Sequence, residues 1–180
     1  MSLSVHSALL TFLVFGLSTP AAAPRTSVQR SLNDPTALAM FEDLITYDIE
    51  TAGIAAKKAM NSDVREVAGQ FVQDHKGLLK QAKDLAKKLN MTPTAPKEAP
   101  LGQAHADALR KLKSATGEEF DRAFIANEVA YHDGAIKILR DTVAPAIKNP
   151  ELKAAVTAAV PAFQGHLARS QQLATKHHVT

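Results

Sequence analysis

Residues 64–89 have the sequence VREVAGQFVQDHKGLLKQAKDLAKKL, and their hydrophobic pattern decides the fold class of the chain. Apolar residues recur there at intervals of three and four, which places them on one face of an α-helix. They are Val64, Val67, Ala68, Phe71, Val72, Leu78, Leu79, Ala82, Leu85, Ala86 and Leu89. The stretch therefore predicts one long amphipathic helix that ends near Leu89 and has Ser62 or Asp63 as its N-cap.

The preceding residues predict a first helix over 35–60, with Asp34 as its N-cap and Pro35 in its first position. Its apolar stripe consists of Phe41, Leu44, Ile45, Ala52, Ala55, Ala56 and Ala59. Only a short segment around Asn61 separates this helix from the next. The two helices are therefore expected to form an antiparallel hairpin.

The residues after Leu89 predict a crossover and a second hairpin. Between 90 and 117, prolines at positions 93, 96 and 100 prevent a continuous helix, although residues 103–114 predict a short one. A third helix is predicted over 118–143, and a fourth over 151–176 with a kink at Pro161. The prediction is an all-α fold: a ferritin-like four-helix bundle over residues 35–176, with a long proline-containing crossover between helices 2 and 3.

The N-terminus has the features of a secretory signal. Residues 1–24 contain no Asp, Glu, Lys or Arg, and residues 8–17 form the apolar run ALLTFLVFGL, followed by small residues up to position 23. The run is too short to span a bilayer, which needs about 20 apolar residues. We predict a signal peptide over 1–23, a flexible leader over 24–34 and a periplasmic or secreted location. A buried N-terminal helix is the alternative.

The composition narrows the range of functions. The chain has no Cys, which excludes disulfides, thiolate catalysis and Cys-ligated zinc or iron–sulfur sites. Its 21 basic and 18 acidic residues are mixed along the sequence, a balance that argues neither for nor against nucleic-acid binding, and no nucleic-acid partner is expected. No Ser or Thr is placed for nucleophilic catalysis beside a His, and an enzyme is therefore less expected than a binding protein.

Polar residues interrupt the apolar stripes at positions that predict a buried site. They are Asp48, His75, Asp121, Glu128, His132 and His166, so each predicted helix points at least one potential metal ligand inward. Asp48 and His75 both lie about 20 Å from the turn at Asn61, so these two can meet. Imidazole and carboxylate ligands suit iron, manganese, zinc or copper. A transition-metal site with a role in storage, sensing or stress protection is one hypothesis, and a purely structural hydrogen-bonded network is the other.

Four sequence blocks resemble a known family. They are YDIE at 47–50, VQDH at 72–75, FDRAFI at 120–125 with VAYH at 129–132, and PAFQGHL at 161–167. Over about residues 35–175 the chain resembles the domain of unknown function numbered forty-one forty-two. That family is described as ferritin-like and labelled exported or outer-membrane protein. The resemblance implies a helical bundle and an exported location, and it implies no established activity.

Two further features bear on function. Ferritin-like di-iron proteins use Glu-x-x-His pairs, but Val72, Val129 and Phe163 stand three residues before the inward histidines, so ferroxidase chemistry is not expected. A basic ridge on the second helix is either a solvated face or a weak contact with the envelope surface. It consists of Lys76, Lys80, Lys83 and Lys87. The alternative function is therefore a non-catalytic structural or interaction protein of the cell envelope.

Overall fold

The structure of the protein is a computed structural model, and it describes residues 32–96 and 100–179. The helices are α1 (Asp34–Lys58), α2 (Ser62–Lys88), α3 (Pro100–Ser114), α4 (Gly117–Ile138) and α5 (Pro150–Lys176). A π-helical segment, Leu139–Val143, and a short helical turn, Ala144–Ala146, follow α4. None of the described residues forms a strand, and the predicted all-α class is confirmed. The predicted signal peptide and most of the predicted leader lie outside the described residues.

The four long helices form a bundle of two antiparallel hairpins. Helix α1 packs against α2 and α4 packs against α5, while α1 also contacts α4 and α2 also contacts α5. Helix α3 is the crossover, and it lies along α1. At its end the Nζ atom of Lys58 donates hydrogen bonds to the carbonyl oxygens of Leu112 at 3.0 Å and Lys113 at 2.7 Å. The crossover thereby brings the start of α4 to the turn between α1 and α2, which confirms the predicted topology.

The cap of α1 differs from the prediction. The side chain of Asn33, one residue earlier than predicted, accepts a hydrogen bond from the backbone N–H of Thr36 at 3.0 Å. The carboxylate of Asp34 accepts instead from the backbone N–H groups of Lys148 at 2.6 Å and Asn149 at 2.9 Å. Asp34 therefore joins the start of α1 to the loop before α5, a long-range contact that local capping rules do not include.

The predicted caps of α2 are also wrong. Asn61 occupies the N-cap position, and Ser62 is the first helical residue. Asp63 lies inside the first turn, where its carboxylate accepts a hydrogen bond from Lys176 at 2.7 Å and pairs with His177 at 2.9 Å. These contacts attach the end of α5 to the start of α2, and they hold the pKa of the Asp63 carboxyl well below its usual value.

Around Pro145 the helical structure extends further than predicted, and the kink at Pro161 stays a prediction. Ahead of Pro145 the chain changes to π-helical bonding and continues to Ala146, three residues beyond the predicted end at Val143. A proline has no N–H and clashes with the preceding turn, so regular α-helical bonding is disfavoured ahead of it. Pro161 lies on the exposed side of α5, which is one helix from Pro150 to Lys176.

Two apolar clusters fill the bundle, one toward each end. One contains Phe41, Leu139 and Phe163, and the other contains Phe71 and Phe120. Between the clusters, along every long helix, lies a layer of buried polar side chains that we call the polar layer. Its members are Asp48, His75, Glu128, His132 and His166. The polar layer therefore divides the core at mid-height.

Candidate metal centre

Each long helix contributes one side chain to a cluster within the polar layer. Asp48 comes from α1, His75 from α2, His132 from α4 and His166 from α5, and one potential ligand atom from each lies within 4.8 Å of the others. All four residues are buried. We call this group the His3Asp cluster. It brings together four of the six residues that the sequence predicted as ligands.

The local sequence explains why these side chains point inward. Asp48 follows Leu44 by four residues, and His75 follows Phe71 by four, so each continues the apolar stripe of its helix. The turn at Asn61 then sets both residues at a similar height, as their distances from it predict. His132 and His166 likewise lie among the buried, inward-facing residues of α4 and α5.

The short distances within the cluster all involve Nε2 of His75 or Oδ2 of Asp48. The Nε2 atom of His75 lies 2.9 Å from Oδ2 of Asp48 and 3.1 Å from Nδ1 of His166. The Nε2 atom of His132 lies 3.9 Å from the same Asp48 oxygen. Donor atoms bound to one tetrahedral ion at ~2.0–2.2 Å stand roughly 3.3–3.6 Å apart. These three distances bracket that range, which is compatible with one ion shared by the four residues.

Several polar atoms of the cluster lack hydrogen bonds. Among the described residues, Nε2 of His132 and Oδ1 of Asp48 have no hydrogen-bond partner, and Oδ2 of Asp48 contacts Nε2 of His75 at 2.9 Å without hydrogen-bond geometry; all three atoms are buried. A buried polar group without a partner costs about 1–3 kcal/mol. These unpartnered atoms belong to the His3Asp cluster itself, and a bound cation would satisfy them. The residues present therefore fit a metal ion.

Burial and charge set the protonation states in the cluster. Burial lowers the pKa of His132 to about 4, and it also lowers the pKa of His166. Burial alone would raise the pKa of Asp48, but its contacts with His75 and His132 outweigh burial and hold the pKa below its usual value. Around neutral pH the cluster therefore contains a carboxylate next to neutral His132 and His166. These are the forms in which such side chains bind metals.

Glu128 lies beside the His3Asp cluster. Its Oε2 atom is 3.6 Å from Nδ1 of His132, and its Oε1 atom accepts hydrogen bonds from Asn127 at 3.1 Å and Thr51 at 3.5 Å. Burial and the neighbouring charge of Asp48 raise the pKa of Glu128 well above its usual value. Both effects favour the protonated form of Glu128, which borders the cluster.

Asp121 is not part of the polar layer, and its predicted place in the ligand set is corrected. Its carboxylate accepts hydrogen bonds from the backbone N–H groups of Met60 at 2.9 Å and Asn61 at 2.8 Å, and from the Asn61 side chain at 2.6 Å. The side chain points inward, as its stripe position predicts, but it meets the turn between α1 and α2. Through these bonds the Asp121 carboxylate stabilises that turn.

Sequence analysis did not identify the contacts around the cluster. The carboxylate of Asp74 lies 3.1 Å from Nε2 of His166. The ring of Phe71 stacks on His166 with centroids 4.1 Å apart, and Phe163 meets His75 edge-on at 5.0 Å. Asp74 and His166 are far apart in sequence and on different helices, so spacing gives no sign of the pairing.

Glu50 attaches the crossover helix α3 to α1. Its carboxylate lies 2.7 Å from Nε2 of His105 in α3. The ring of His105 also stacks on Tyr47 with centroids 4.1 Å apart. His105 is thus held away from the polar layer, although its residue type would suit a metal site.

The outer surface gives less evidence of function. All four lysines of the basic ridge are exposed, and Lys80 donates to Asp84 at 2.6 Å, one turn away on α2. A solvated helix face accounts for such a pattern. Within the described residues, no helix combines the length and apolarity needed to cross a membrane.

Comparison with known families gives one match over most of the chain. Residues 18–173 match the family described as "Domain of unknown function (DUF4142)". This agrees with the resemblance of the four sequence blocks. No curated protein sequence matches the chain significantly.

Several solved structures share the fold at low sequence identity. A DUF305 fragment from Deinococcus radiodurans has a TM-score of 0.68 and 13% identity, covering 86% of this chain and 99% of that one. "CopM in the Cu(I)-bound form" has a TM-score of 0.64 and 18% identity, covering 81% and 98% of the two chains. "CopM in the Cu(II)-bound form" has a TM-score of 0.61 and 18% identity, and it also covers 81% of this chain and 98% of that one. At these identities the similarity establishes the helical-bundle fold alone.

Proposed function

The chain belongs to the DUF4142 family, and we propose that its His3Asp cluster binds a transition-metal ion, with copper as the first candidate. One observation carries the proposal. Four helices each place one ligand-type atom within 4.8 Å of the others in the core, and several of these atoms have no hydrogen-bond partner among the described residues. An apolar layer would pack there at lower cost unless a bound ion satisfied the group.

The ligand set supports copper over the other metals that suit it. Three imidazoles and one carboxylate favour a borderline divalent ion, and affinity at a given nitrogen and oxygen site is highest for Cu(II) among first-row divalent metals. The copper-bound forms named for the structurally similar CopM also support this choice. Zinc is the second candidate because it accepts the same four ligands in a tetrahedral site.

A site with four protein ligands supports storage of the ion and not catalysis. Four protein ligands fill the coordination of a structural site, whereas catalytic sites keep a position open for water or substrate. Burial of all four residues adds to this, since none of them is more than 7% exposed to solvent. We therefore propose that the protein stores or sequesters the ion. The signal-like residues 1–23 support a location outside the cytoplasm for this role.

A structural network is the alternative function of the cluster, and two contacts favour it. His166 makes hydrogen-bond contacts with His75 at 3.1 Å and with Asp74 at 3.1 Å. Polar contacts of this kind can set the register of helices without binding any ligand. In that case the protein acts as a non-catalytic component of the envelope.

Equilibrium binding to metal-stripped protein tests the proposal. We expect the wild type to retain one copper ion per chain after dialysis, as counted by elemental analysis, and His132→Ala to retain none. His178→Ala is the matched control, because His178 is an exposed histidine near the C-terminus. If wild type and His132→Ala retain the same amount of each metal tested, the cluster is not the site.

A further inference from the structure

A groove between α2 and α5 leads from the surface to the His3Asp cluster. Its volume is about 580 Å³. Small residues line much of it, including Gly77 on α2 and Ala158 and Ala162 on α5. These residues follow the facing sides of the two helices. Because no long side chain at these positions bridges the helices, the groove remains open.

The groove includes members of the cluster in its wall. His75 and His166 both line it. His166 is 7% exposed, while Asp48, His75 and His132 are exposed by 1% or less. His166 is therefore the cluster residue nearest to solvent.

Asp74 connects the groove with His166. Its side chain is 42% exposed and lines the groove, and its carboxylate lies 3.1 Å from Nε2 of His166. The Nδ1 atom of the same ring lies 3.1 Å from Nε2 of His75. Asp74, His166 and His75 thus form a continuous chain of polar contacts from solvent to the interior.

We propose that this groove is the entry route of the cation and that Asp74 is a positioning residue, which attracts the cation and orients His166. The inference rests on the proposed function, since it assumes that the cluster binds a metal ion. A carboxylate at the mouth of a low-dielectric groove raises the local cation concentration. A carboxylate bonded to the outer nitrogen of a histidine also fixes the orientation of the ring.

The first test measures the rate at which Asp74→Asn takes up copper. Asparagine keeps the shape and a hydrogen-bonding oxygen for His166 but removes the charge. We expect the association rate with buffered Cu(II), followed by stopped flow, to fall roughly tenfold and to depend less on salt. Asp84→Asn is the matched control, because Asp84 is an exposed aspartate of α2 outside the groove lining, and its rate should equal that of wild type.

The second test closes the groove. In Ala162→Leu a larger side chain occupies the groove, so the association rate and the rate of extraction by a chelator should fall by the same factor. The equilibrium affinity should therefore stay unchanged. Ala154→Leu places the same side chain on an exposed part of α5 outside the groove and should leave both rates unchanged. Ala158→Leu serves as a second groove variant.

The outcomes separate this inference from the proposed function. If the wild type retains neither copper nor zinc, the proposed function fails. If the wild type binds metal through His132 while Asp74→Asn and both groove variants keep wild-type rates, the site stands and the entry route is wrong. A groove variant, Ala158→Leu or Ala162→Leu, that slows association but accelerates extraction has weakened the site itself, which also contradicts the proposed role of the groove.

Discussion

His132 is the residue at which the metal site and the structural network differ most. Its Nδ1 atom lies 3.0 Å from the backbone carbonyl oxygen of Glu128, whereas its Nε2 atom has no hydrogen-bond partner in the described part of the chain. A ring fully committed to a structural network would use both nitrogens. The unpartnered Nε2 atom faces Asp48 and is available as a ligand.

Thermal melting with and without metal distinguishes the two functions. At a free copper concentration about a hundredfold above the dissociation constant, the wild type should gain about 2.7 kcal/mol of stability. His75→Ala and His132→Ala should show no such gain. In a purely structural network the same variants would lose about 1–3 kcal/mol equally with chelator and with metal. A wild type whose melting temperature is unchanged by copper, zinc, iron or manganese would contradict the metal site.

The lowered pKa of His132 predicts a pH dependence in the metal-free protein. Its pKa is about 4 in the folded state and near 6.5 when unfolded, so between these values only the unfolded chain binds the proton. This contribution to stability is present above pH 6.5 and is lost as the pH falls toward 4, by up to about 3 kcal/mol. The variant His132→Asn should therefore become more stable relative to wild type as the pH falls, as measured by urea unfolding with chelator present.

The contribution of Glu128 to stability should depend on pH in the opposite sense to that of His132. Its pKa is raised in the folded state, so its contribution to stability is present below pH 4.5 and is lost as the pH rises. Glu128→Gln should therefore gain stability relative to wild type as the pH increases. Relative stabilities of both variants that do not change between pH 4 and 7 would contradict the protonation states assigned to the polar layer.

At the scale of the helices, Asp121 holds the turn between α1 and α2. It contacts Met60 and Asn61 from α4, on the other hairpin, so this bond sets the height of α4 relative to the first hairpin. A carboxylate that accepts several bonds in a partly buried turn is costly to remove, because the donors lose their partner.

Removing the Asp121 carboxylate tests this role. Asp121→Ala should lower the free energy of unfolding by about 1–3 kcal/mol, as measured by urea denaturation, because the turn donors lose their acceptor. The variant should still bind metal at the wild-type stoichiometry. Asp133→Ala is the control, since Asp133 forms only an exposed pair with Lys137 and should change stability by about 0.5 kcal/mol or less. Loss of metal from Asp121→Ala without loss of stability would return Asp121 to the ligand set.

At the scale of the whole molecule, the crossover is the part least supported by packing. Residues 91–96 have no regular helix, and residues 92–95 are exposed. A backbone hydrogen bond of 3.1 Å from Thr94 to Pro35 attaches this segment to the start of α1. Helix α3 is better held, because His105 stacks on Tyr47.

Limited proteolysis should distinguish the exposed irregular segment from helix α3. A protease of broad specificity should cut first between Leu89 and Pro100, since exposed irregular segments are the preferred sites of nicking. Helix α3 should be cut later, and His105→Ala should make α3 more sensitive by removing its contacts with α1. Fragments identified by mass spectrometry give the order of cleavage. First cuts within residues 64–86 would contradict the bundle.

Export also concerns the molecule as a whole. Residues 1–23 should be absent from protein recovered outside the cytoplasm, with cleavage after Ala21 or Ala23, because an apolar run followed by small residues is the pattern that signal peptidase requires. Intact-mass measurement gives the cleavage position. Leu13→Arg, which interrupts the apolar run, should leave the chain uncut in the cytoplasm. Recovery of the wild type outside the cytoplasm with Met1 retained would contradict the prediction.

The sequence alone determined the class and the topology of the bundle. Helical periodicity is a local property, so stripes at intervals of three and four identified the four long helices, and the prolines between 90 and 100 identified the crossover. The same periodicity showed that Asp48, His75, His132 and His166 point inward. A polar residue on a stripe is visible without any knowledge of what it faces.

The tertiary structure alone decided which inward residues meet. The two hairpins are joined by a long crossover, and no local rule sets their relative height. The structure brings His132 and His166 to the level of Asp48 and His75, leaves Glu128 beside them and places Asp121 at the distant turn. The contact between Asp74 and His166 has the same origin. Such contacts depend on the packing of whole helices against each other, which spacing along one chain segment does not record.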